Sequence, residues 1–483
     1  MNAFDKKSIL WCFPALAFAL LLCFSYSTSP LYQYMGFESA IFKTIGLGIL
    51  QGKLPYTDLF DHKGPVIFYI DALGQWLIPG KAGIFLLQIL SLSLALYFIF
   101  RTVSLFVSSK TAFISVLMTC FPLVDFIEDG NHCEEWTLPF ICASLYLAIS
   151  WILDSGKKKH SLWKSLFYGC SFAFIFFIRP NDAVASIGSV MFAVFMILIT
   201  RRHYAEAFAN AGVFLLGCGL AALPVFAYFA SKGIVEEMLF GTIFYNIAYA
   251  TNLSIKNIGI GILLIPTLVL VLSAFLCRRE EKLKELNWLL IPYLFLTLAL
   301  IGKRDYYHYL IPMIPYITIL FSLCFRQKIK AIAVVICCLF AFGGFYQYKC
   351  LWRICSESGN LEQMYSQTDR LFANVPEEQR NGIWNYNMFT VNEKRPIVYS
   401  MLGVWLHAGY TPGNRIFVPY HLPNFDQTET LEHNRPEWVM AYVAEEDAEG
   451  FLGKDYRPFD WTEGKIKVVL YRRNDEKNAE EAS

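Results

Sequence analysis

Acids, histidines and cations collect in a few short polar stretches that separate long apolar runs. The first loop holds Gly36-Phe37-Glu38-Ser39 and, further on, Pro55-Tyr56-Thr57-Asp58-Leu59-Phe60-Asp61-His62-Lys63-Gly64-Pro65. Later stretches read Glu128-Asp129-Gly130-Asn131-His132-Cys133-Glu134-Glu135, then Arg179-Pro180-Asn181-Asp182, then Lys303-Arg304-Asp305-Tyr306-Tyr307-His308-Tyr309. Carboxylates accept protons or bind metals, and Lys, Arg and His neutralise an anion. Plainer roles are open to each residue. Asp58 suits a turn after Pro55, and Asn131 suits a turn as well. Glu134 and Glu135 suit a helix N-terminus. Lys63 can snorkel to headgroups, and Arg179 and Arg304 can anchor span ends.

The elements that must carry these residues are membrane helices. Apolar residues make up 55% of the 483-residue chain, charged residues only 17%, and the mean hydropathy is +0.41. That excludes a soluble enzyme, a disordered chain and a disulfide scaffold. Runs long enough to span lie near 8–26, 83–107, 112–127, 137–153, 163–178, 183–200, 208–230, 258–276, 286–301, 306–324 and 329–346, eleven in all. Val66 to Pro79 is shorter and contains Asp71, Gly74 and Gln75, which suits an interfacial segment. With Lys6 and Lys7 inside, eleven spans also place Lys110, Lys157 to Lys159, Arg201, Arg202, Arg278, Arg279, Lys282, Lys284, Arg326 and Lys328 inside. The first run then reads as a retained signal anchor, and the polar stretches above lie outside.

Charge marks a second region. Residues 1–349 carry 27 Lys and Arg against 19 Asp and Glu, whereas 350–483 carry 14 against 21. The expected organisation is a membrane domain over 1–348, an extracytoplasmic α/β domain over 349–473 and a disordered tail over 474–483. Within the second domain, the pattern predicts a helix over 357–378, another over 397–407, and strands over 383–390, 415–420, 438–443 and 465–471. No CxxC pair occurs among the 13 cysteines, and Cys350 and Cys355 lie on one helix with poor disulfide spacing. The short inside loops carry neither GxxxxGK[ST] nor GxGxxG. An ATP-driven pump, a kinase and a cytosolic nucleotide-sugar transferase are disfavoured, and the acidic C-terminal region gives no reason to expect nucleic acid.

The stretches GFESAIFKTIGLGILQGKLPYTDLFDHKGP, EDGNHCEEWTLPF, IRPND and HYLIPMIP, in that order, resemble the landmarks of the GT-C glycosyltransferases. The likeness is to the bacterial branch related to protein O-mannosyltransferases and lipid A aminoarabinose transferases, and it covers about residues 1–345. It implies an α-helical polytopic membrane protein of about eleven transmembrane helices. It also implies transfer of a sugar from a polyprenyl-phosphate donor to an envelope glycolipid, polysaccharide or protein at the outer face of a bacterial cytoplasmic membrane. Glu38 stands where that branch has Asp, one methylene longer. By this resemblance Glu38, Asp58, Asp61, Glu134 and Glu135 are the candidate catalytic acids. His62, Lys63, Arg179, Arg304 and His308 are candidates for the donor phosphate, and Asn131, Asn181 and Tyr309 for substrate. A divalent metal ion on Glu38 and Glu134 is a further source of positive charge. The competing readings are a secondary transporter, against which stand charge-poor span centres and the lack of repeated halves, and a degenerate binding or scaffold protein.

Overall fold

Lipid offers a backbone no hydrogen-bond partner except itself, so the apolar runs close into helices. The computed structural model describes the chain apart from residues 1–5, 155–158, 248–259, 301–305, 344, 387–400, 418–426, 445–451, 464–465 and 475–483. The main helices run, in chain order, α1 (Lys6–Phe24), α2 (Glu38–Leu50), α3 (Pro65–Leu77), α4 (Ala82–Val103), α5 (Ser109–Ile127), α6 (Cys133–Leu153), α7 (Leu162–Phe176), α8 (Pro180–Thr200), α9 (Tyr204–Lys232), α10 (Ile260–Arg278), α11 (Glu281–Leu300), α12 (Tyr307–Arg326), α13 (Lys330–Gly343), α14 (Phe345–Ala373), α15 (Met401–Ala408) and α16 (Gln427–Asn434). Among the described residues, eight of these (α4, α5, α6, α8, α9, α10, α11 and α12) are long and apolar enough to cross a membrane. Shorter apolar helices cover Trp11–Phe24, Leu162–Phe176 and Lys330–Gly343. Together they match the eleven expected runs, and the chain is an integral membrane protein. Helix α3 has 13 residues, about 20 Å at 1.5 Å per residue, which is short of the roughly 30 Å hydrocarbon layer.

The contacts divide the chain into two compact units. The first contains residues 1–25, 63–67 and 86–349. Its helices meet through small residues, as membrane helices do when packing rather than water drives association. Helices α7 and α9 approach so closely that a Cβ on Gly169 would lie 2.1 Å from the Phe214 carbonyl oxygen, and one on Gly217 would lie 2.4 Å from that of Leu166. Helices α5 and α12 share a Thr119–Thr318 hydroxyl hydrogen bond of 2.8 Å. Helix α12 is the most enclosed of the eight. Gly233, in the left-handed conformation (φ +71°), ends the long helix α9.

The second unit contains residues 26–62, 68–85 and 350–483, so most of the first polar loop packs with the C-terminal region. Its sheet has the order β1-β2-β4-β3, with β1 (Trp384–Asn385), β2 (Trp438–Ala444), β3 (Tyr456–Trp461) and β4 (Ile466–Arg473). β1 runs parallel to β2 (Trp384 opposite Val439), and β4 is antiparallel to both β2 (Met440 opposite Leu470) and β3 (Tyr456 opposite Arg473). One face buries Val439, Ala441, Val443, Val469 and Tyr471 with Leu431 of α16. Several expectations change here. The helix expected over 357–378 begins at Phe345 and ends at Ala373, because the polar turns of α14 continue an apolar start. The strand expected over 415–420 does not form at Arg415–Phe417, which are irregular, and 418–420 lie outside the described residues. The strand expected over 383–390 is described only as Trp384–Asn385. Edge strand β3 went unforeseen because Pro458 breaks its pattern, and the register shifts between Pro458 and Asp460. The helix expected over 397–407 is described as Met401–Ala408. Cys350 and Cys355 are both free thiols.

Candidate functional site

In the first unit the site begins with the turn joining α5 to α6. Glu128 (φ +51°), Gly130 (φ +88°) and Asn131 (φ +65°) all adopt positive φ, an uncommon conformation that Gly and Asn tolerate best. A Cβ on Gly130 would lie 2.0 Å from the Ser25 hydroxyl oxygen, so the turn needs glycine there for space as well as for conformation. The turn delivers its carboxylates to two histidines. Glu128 Oε1 accepts from the Tyr307 N–H at 2.7 Å, and its Oε2 lies 2.9 Å from His308 Nδ1. Asp129 Oδ1 lies 2.8 Å from His132 Nε2. The His132 and His308 rings stack at 4.0 Å with 5° between their planes, and Tyr306 stacks on His308 at 5.4 Å. Burial alone would raise the Glu128 pKa; the neighbouring His308, His132 and the Tyr307 N–H outweigh it and hold the carboxyl below its ordinary value.

A buried charge cluster adjoins α6 and α8. Arg179, extended at the residue before Pro180, pairs with Glu134 and lies 3.2 Å from Asp182. Its guanidinium sits 4.0 Å from the centre of the Tyr309 ring. Burial would weaken its charge, but Glu134 and Asp182 dominate and raise its pKa further, so Arg179 is always cationic. Glu134 is buried, as is Asp182. Just beyond them, the backbone of α8 makes a π-helical turn over Ala183–Ile187, a feature often found at functional sites.

Lys63 reaches the first unit through backbone pairing. Gly64 N–H donates to the Ile178 carbonyl at 3.2 Å, and Val66 N–H donates to that of Phe177 at 3.0 Å. A Cβ on Gly64 would fall 2.1 Å from the Phe177 carbonyl oxygen. The HKGP stretch is therefore docked on the two residues that precede Arg179.

Three of the expected site residues of this unit hydrogen-bond to neighbouring elements and brace them. Glu135 Oε1 accepts from the His132 N–H at 2.8 Å, and its Oε2 accepts from Gln88 at 3.0 Å. This carboxylate caps α6, the plainer role the sequence allowed. Asn131 Oδ1 accepts from the Trp136 indole at 3.0 Å. Asn181 donates to the Leu300 carbonyl at 2.9 Å. Arg304 lies outside the described residues. Glu134, expected as an acid or metal ligand, is the ion-pair partner of Arg179. Glu128, Asp129, His132 and Asp182 were not among the expected site residues. Their signal was the mixing of acids with histidine or arginine in the same short loops.

In the second unit, Glu38 opens α2 and is half-buried, in the first turn of the helix, where a carboxylate is favoured by the helix dipole. Further along α2, buried Lys43 donates to the Ser27 and Met35 carbonyls. Asp61 and His62 are buried side by side, with His62 Nδ1 3.3 Å from Asp61 Oδ1. Asp58 is exposed, and its Oδ2 accepts from the Leu54 N–H at 2.7 Å. It thus closes its own turn, in which Tyr56 is fully buried at φ +72°.

The chain is a bundle of apolar helices followed by a region that contains a small sheet. The fold is similar to that of ArnT from Cupriavidus metallidurans bound to undecaprenyl phosphate, with 11% identity over 97% of this chain and 98% of that one and a TM-score of 0.63. The apo state of the same protein gives 0.55, with 11% identity over 96% and 98%. Archaeal oligosaccharyltransferase AglB from Archaeoglobus fulgidus, in complex with an inhibitory peptide and a dolichol-phosphate, gives 0.47, with 10% identity over 91% and 70%. No curated protein matches the sequence. Residues 5–335 match the family described as the competence-induced protein Ccs4 N-terminal domain, and the chain belongs to that family.

Proposed function

We propose that this protein is a membrane glycosyltransferase that moves a sugar from a polyprenyl-phosphate donor to an envelope glycolipid, polysaccharide or protein. The single observation that carries the reading is Arg179, a permanent buried cation ringed by Glu134, Asp182 and Tyr309 and joined through Gly64 to the Lys63 segment. The similarity to an undecaprenyl-phosphate-bound fold along nearly the whole chain supports it. The short basic loops support a cytoplasmic N-terminus and an extracytoplasmic C-terminal domain.

In this reading an acceptor hydroxyl oxygen attacks the anomeric carbon while its proton passes to a carboxylate, Glu38 or Asp61. The bond from the anomeric carbon to the phosphate oxygen breaks, and the phosphate leaves with the electron pair. One displacement inverts the anomeric centre. Lys63, His62, Arg179 and His308 supply positive charge to the departing phosphate, with Arg304 as a further cation from its loop. Tyr309 orients Arg179. Asp58 closes the loop, and Asn131, Asn181 and Glu135 hold theirs.

A divalent ion fits the histidine pair. His132 and His308 offer ring nitrogens within 4.8 Å of each other, and each ring turns its other nitrogen to a carboxylate, as metal-binding imidazoles do. These two residues would hold the ion, and when bound it would supply Lewis-acid charge to the phosphate.

The test is release of polyprenyl phosphate from synthetic polyprenyl-phosphate hexoses by the detergent-purified chain, with envelope extract as acceptor. Glu38→Gln is expected to lower release by about 10²-fold or more, and Asp58→Asn by only a few-fold. Lys63→Met is expected to weaken the response to subsaturating donor, with partial recovery in Lys63→Arg. Absence of release from every donor tried, or full activity of Lys63→Met, contradicts the assignment.

A further inference from the structure

The loop carrying Asp58, Asp61 and His62 is held by Asn381 and by residues 409–415 of the C-terminal region, within the second unit. Gln51 Nε2 donates to the Gly409 carbonyl at 2.9 Å, and the Thr411 hydroxyl donates back to Gln51 Oε1 at 3.0 Å. Lys53 Nζ donates to the Pro412 carbonyl at 2.8 Å and to that of Asn381 at 3.3 Å. Arg415 then makes a two-point clamp. Its Nε donates to the Tyr56 carbonyl at 2.9 Å, and its own carbonyl accepts the Phe60 N–H at 2.9 Å.

The clamp acts on the part of the loop that most needs it. Tyr56 is a bulky residue at φ +72°, a conformation that persists only where its surroundings impose it. From inside, its ring is fixed edge-on to Phe68 with centres 5.9 Å apart. Tyr56 N–H donates to the Leu59 carbonyl at 2.8 Å and closes the turn. From outside, Arg415 holds the Tyr56 carbonyl and the Phe60 amide, the two ends of that turn. Phe60 is followed at once by Asp61, His62 and Lys63. A rotation at Phe60 would swing Asp61 and His62.

We propose that Arg415 is a positioning residue for sugar transfer: it fixes the Tyr56–Phe60 turn and thereby the Asp61–His62 pair. Arg415 then takes part in the reaction through the shape of the loop and touches no reacting atom. The proposal rests on the transferase reading given above. Arg415 lies at the surface, so truncating it leaves no core cavity.

The experiment compares the full-length wild type with Arg415→Met and Arg415→Lys in detergent. Arg415→Met keeps an unbranched apolar stem and removes the donor to Tyr56. Hydrogen–deuterium exchange over residues 54–62 is expected to rise about tenfold in Arg415→Met, the loss of one hydrogen bond of average strength, with exchange in α4 to α12 unchanged. Transfer from a synthetic polyprenyl-phosphate hexose should lose about tenfold in kcat with a smaller change in donor KM. Arg415→Lys, which keeps a donor, should recover part of both. Unchanged exchange over 54–62 overturns the clamp. Raised exchange with wild-type kcat and KM overturns the positioning role and leaves Arg415 a plain tether. If the wild type transfers nothing, the transferase reading fails and the positioning role falls with it; the exchange measurement then bears on the clamp alone.

Discussion

Replacing Gly64 with alanine tests how Lys63 is brought to its place. The added Cβ would stand 2.1 Å from the Phe177 carbonyl oxygen, while real Cβ contacts stay beyond 3.0 Å. The HKGP segment must therefore retreat by about 1 Å. The neighbours that would have to yield are backbone atoms of residues 177 and 178, held by the end of α7, so the retreat falls on the loop. That movement stretches two hydrogen bonds, Gly64 N to Ile178 O at 3.2 Å and Val66 N to Phe177 O at 3.0 Å. At about 0.5–1.5 kcal/mol each, the loss is about 1–3 kcal/mol, which a bundle of this size survives. A displacement of about 1 Å in a group that must meet a reacting atom costs about 10²-fold in rate. Gly64→Ala should therefore express and purify as a single species, yet transfer from a synthetic polyprenyl-phosphate hexose about 10²-fold more slowly. Near wild-type turnover would refute the idea that the Gly64 contact sets the position of Lys63. A variant that fails to fold would instead mean the contact is worth far more than two hydrogen bonds.

Two further outcomes follow from packing and burial. Gly217→Ala drives a Cβ to 2.4 Å from the Leu166 carbonyl oxygen, whereas Gly219, two residues on in the same helix, has open space. Thermal melting in detergent should fall clearly for Gly217→Ala and stay level or rise for Gly219→Ala, because alanine favours a helix over glycine by about 1 kcal/mol; equal melting of the two would contradict the α7–α9 contact. Lys81, which donates to the Tyr32 and Tyr34 carbonyls, has its pKa lowered from 10.5 to about 7 by burial and then by the nearby charge of Lys43. Between pH 7 and 10.5 the unfolded chain binds this proton and the folded chain does not, so stability should rise with pH through that window. Lys81→Met should flatten the rise in melting temperature, and an unchanged slope would show that other groups produce it.

The helices were legible in the sequence because a membrane span writes itself as one long apolar run, and basic residues punctuate the runs. The short helix α3 was legible for the same reason, since its run carries Asp71 and Gln75 and is too short to cross. In the C-terminal region, β2 and β4 followed from their β-branched alternation, whereas β3 was hidden by Pro458 at a position only an edge strand tolerates. The candidate site was legible as loops and illegible as pairings. Arg179 and Glu134 are separated by 45 residues, and no local pattern links them. His132 followed three residues later by Glu135 does carry the spacing of a helix cap, and in the structure that carboxylate accepts from the His132 N–H. Asp58 likewise became a turn closer because its carboxylate finds the Leu54 amide four residues back.

The pairing of Arg179 has a consequence for how a phosphate would bind. An arginine facing solvent offers its charge at little cost, but this one is already matched by two carboxylates, Glu134 and Asp182. A phosphate arriving beside it meets two negative charges before it gains one positive charge. The approach becomes favourable when one carboxylate turns away or is offset by a further cation. The stacked histidines supply a place for that offset, because together they can share a divalent ion while Glu128 and Asp129 hold their other sides. Lys63 supplies another, since its chain is tied by Gly64 and Val66 to the residues just before Arg179. In the transferase reading, Arg179 therefore lends its charge to the leaving phosphate once its two acids are offset, and Lys63 and the histidine pair provide that offset. Arg179→Lys would keep the charge but lose the planar fork that reaches both acids. It should disturb the cluster more than Lys63→Arg disturbs the loop.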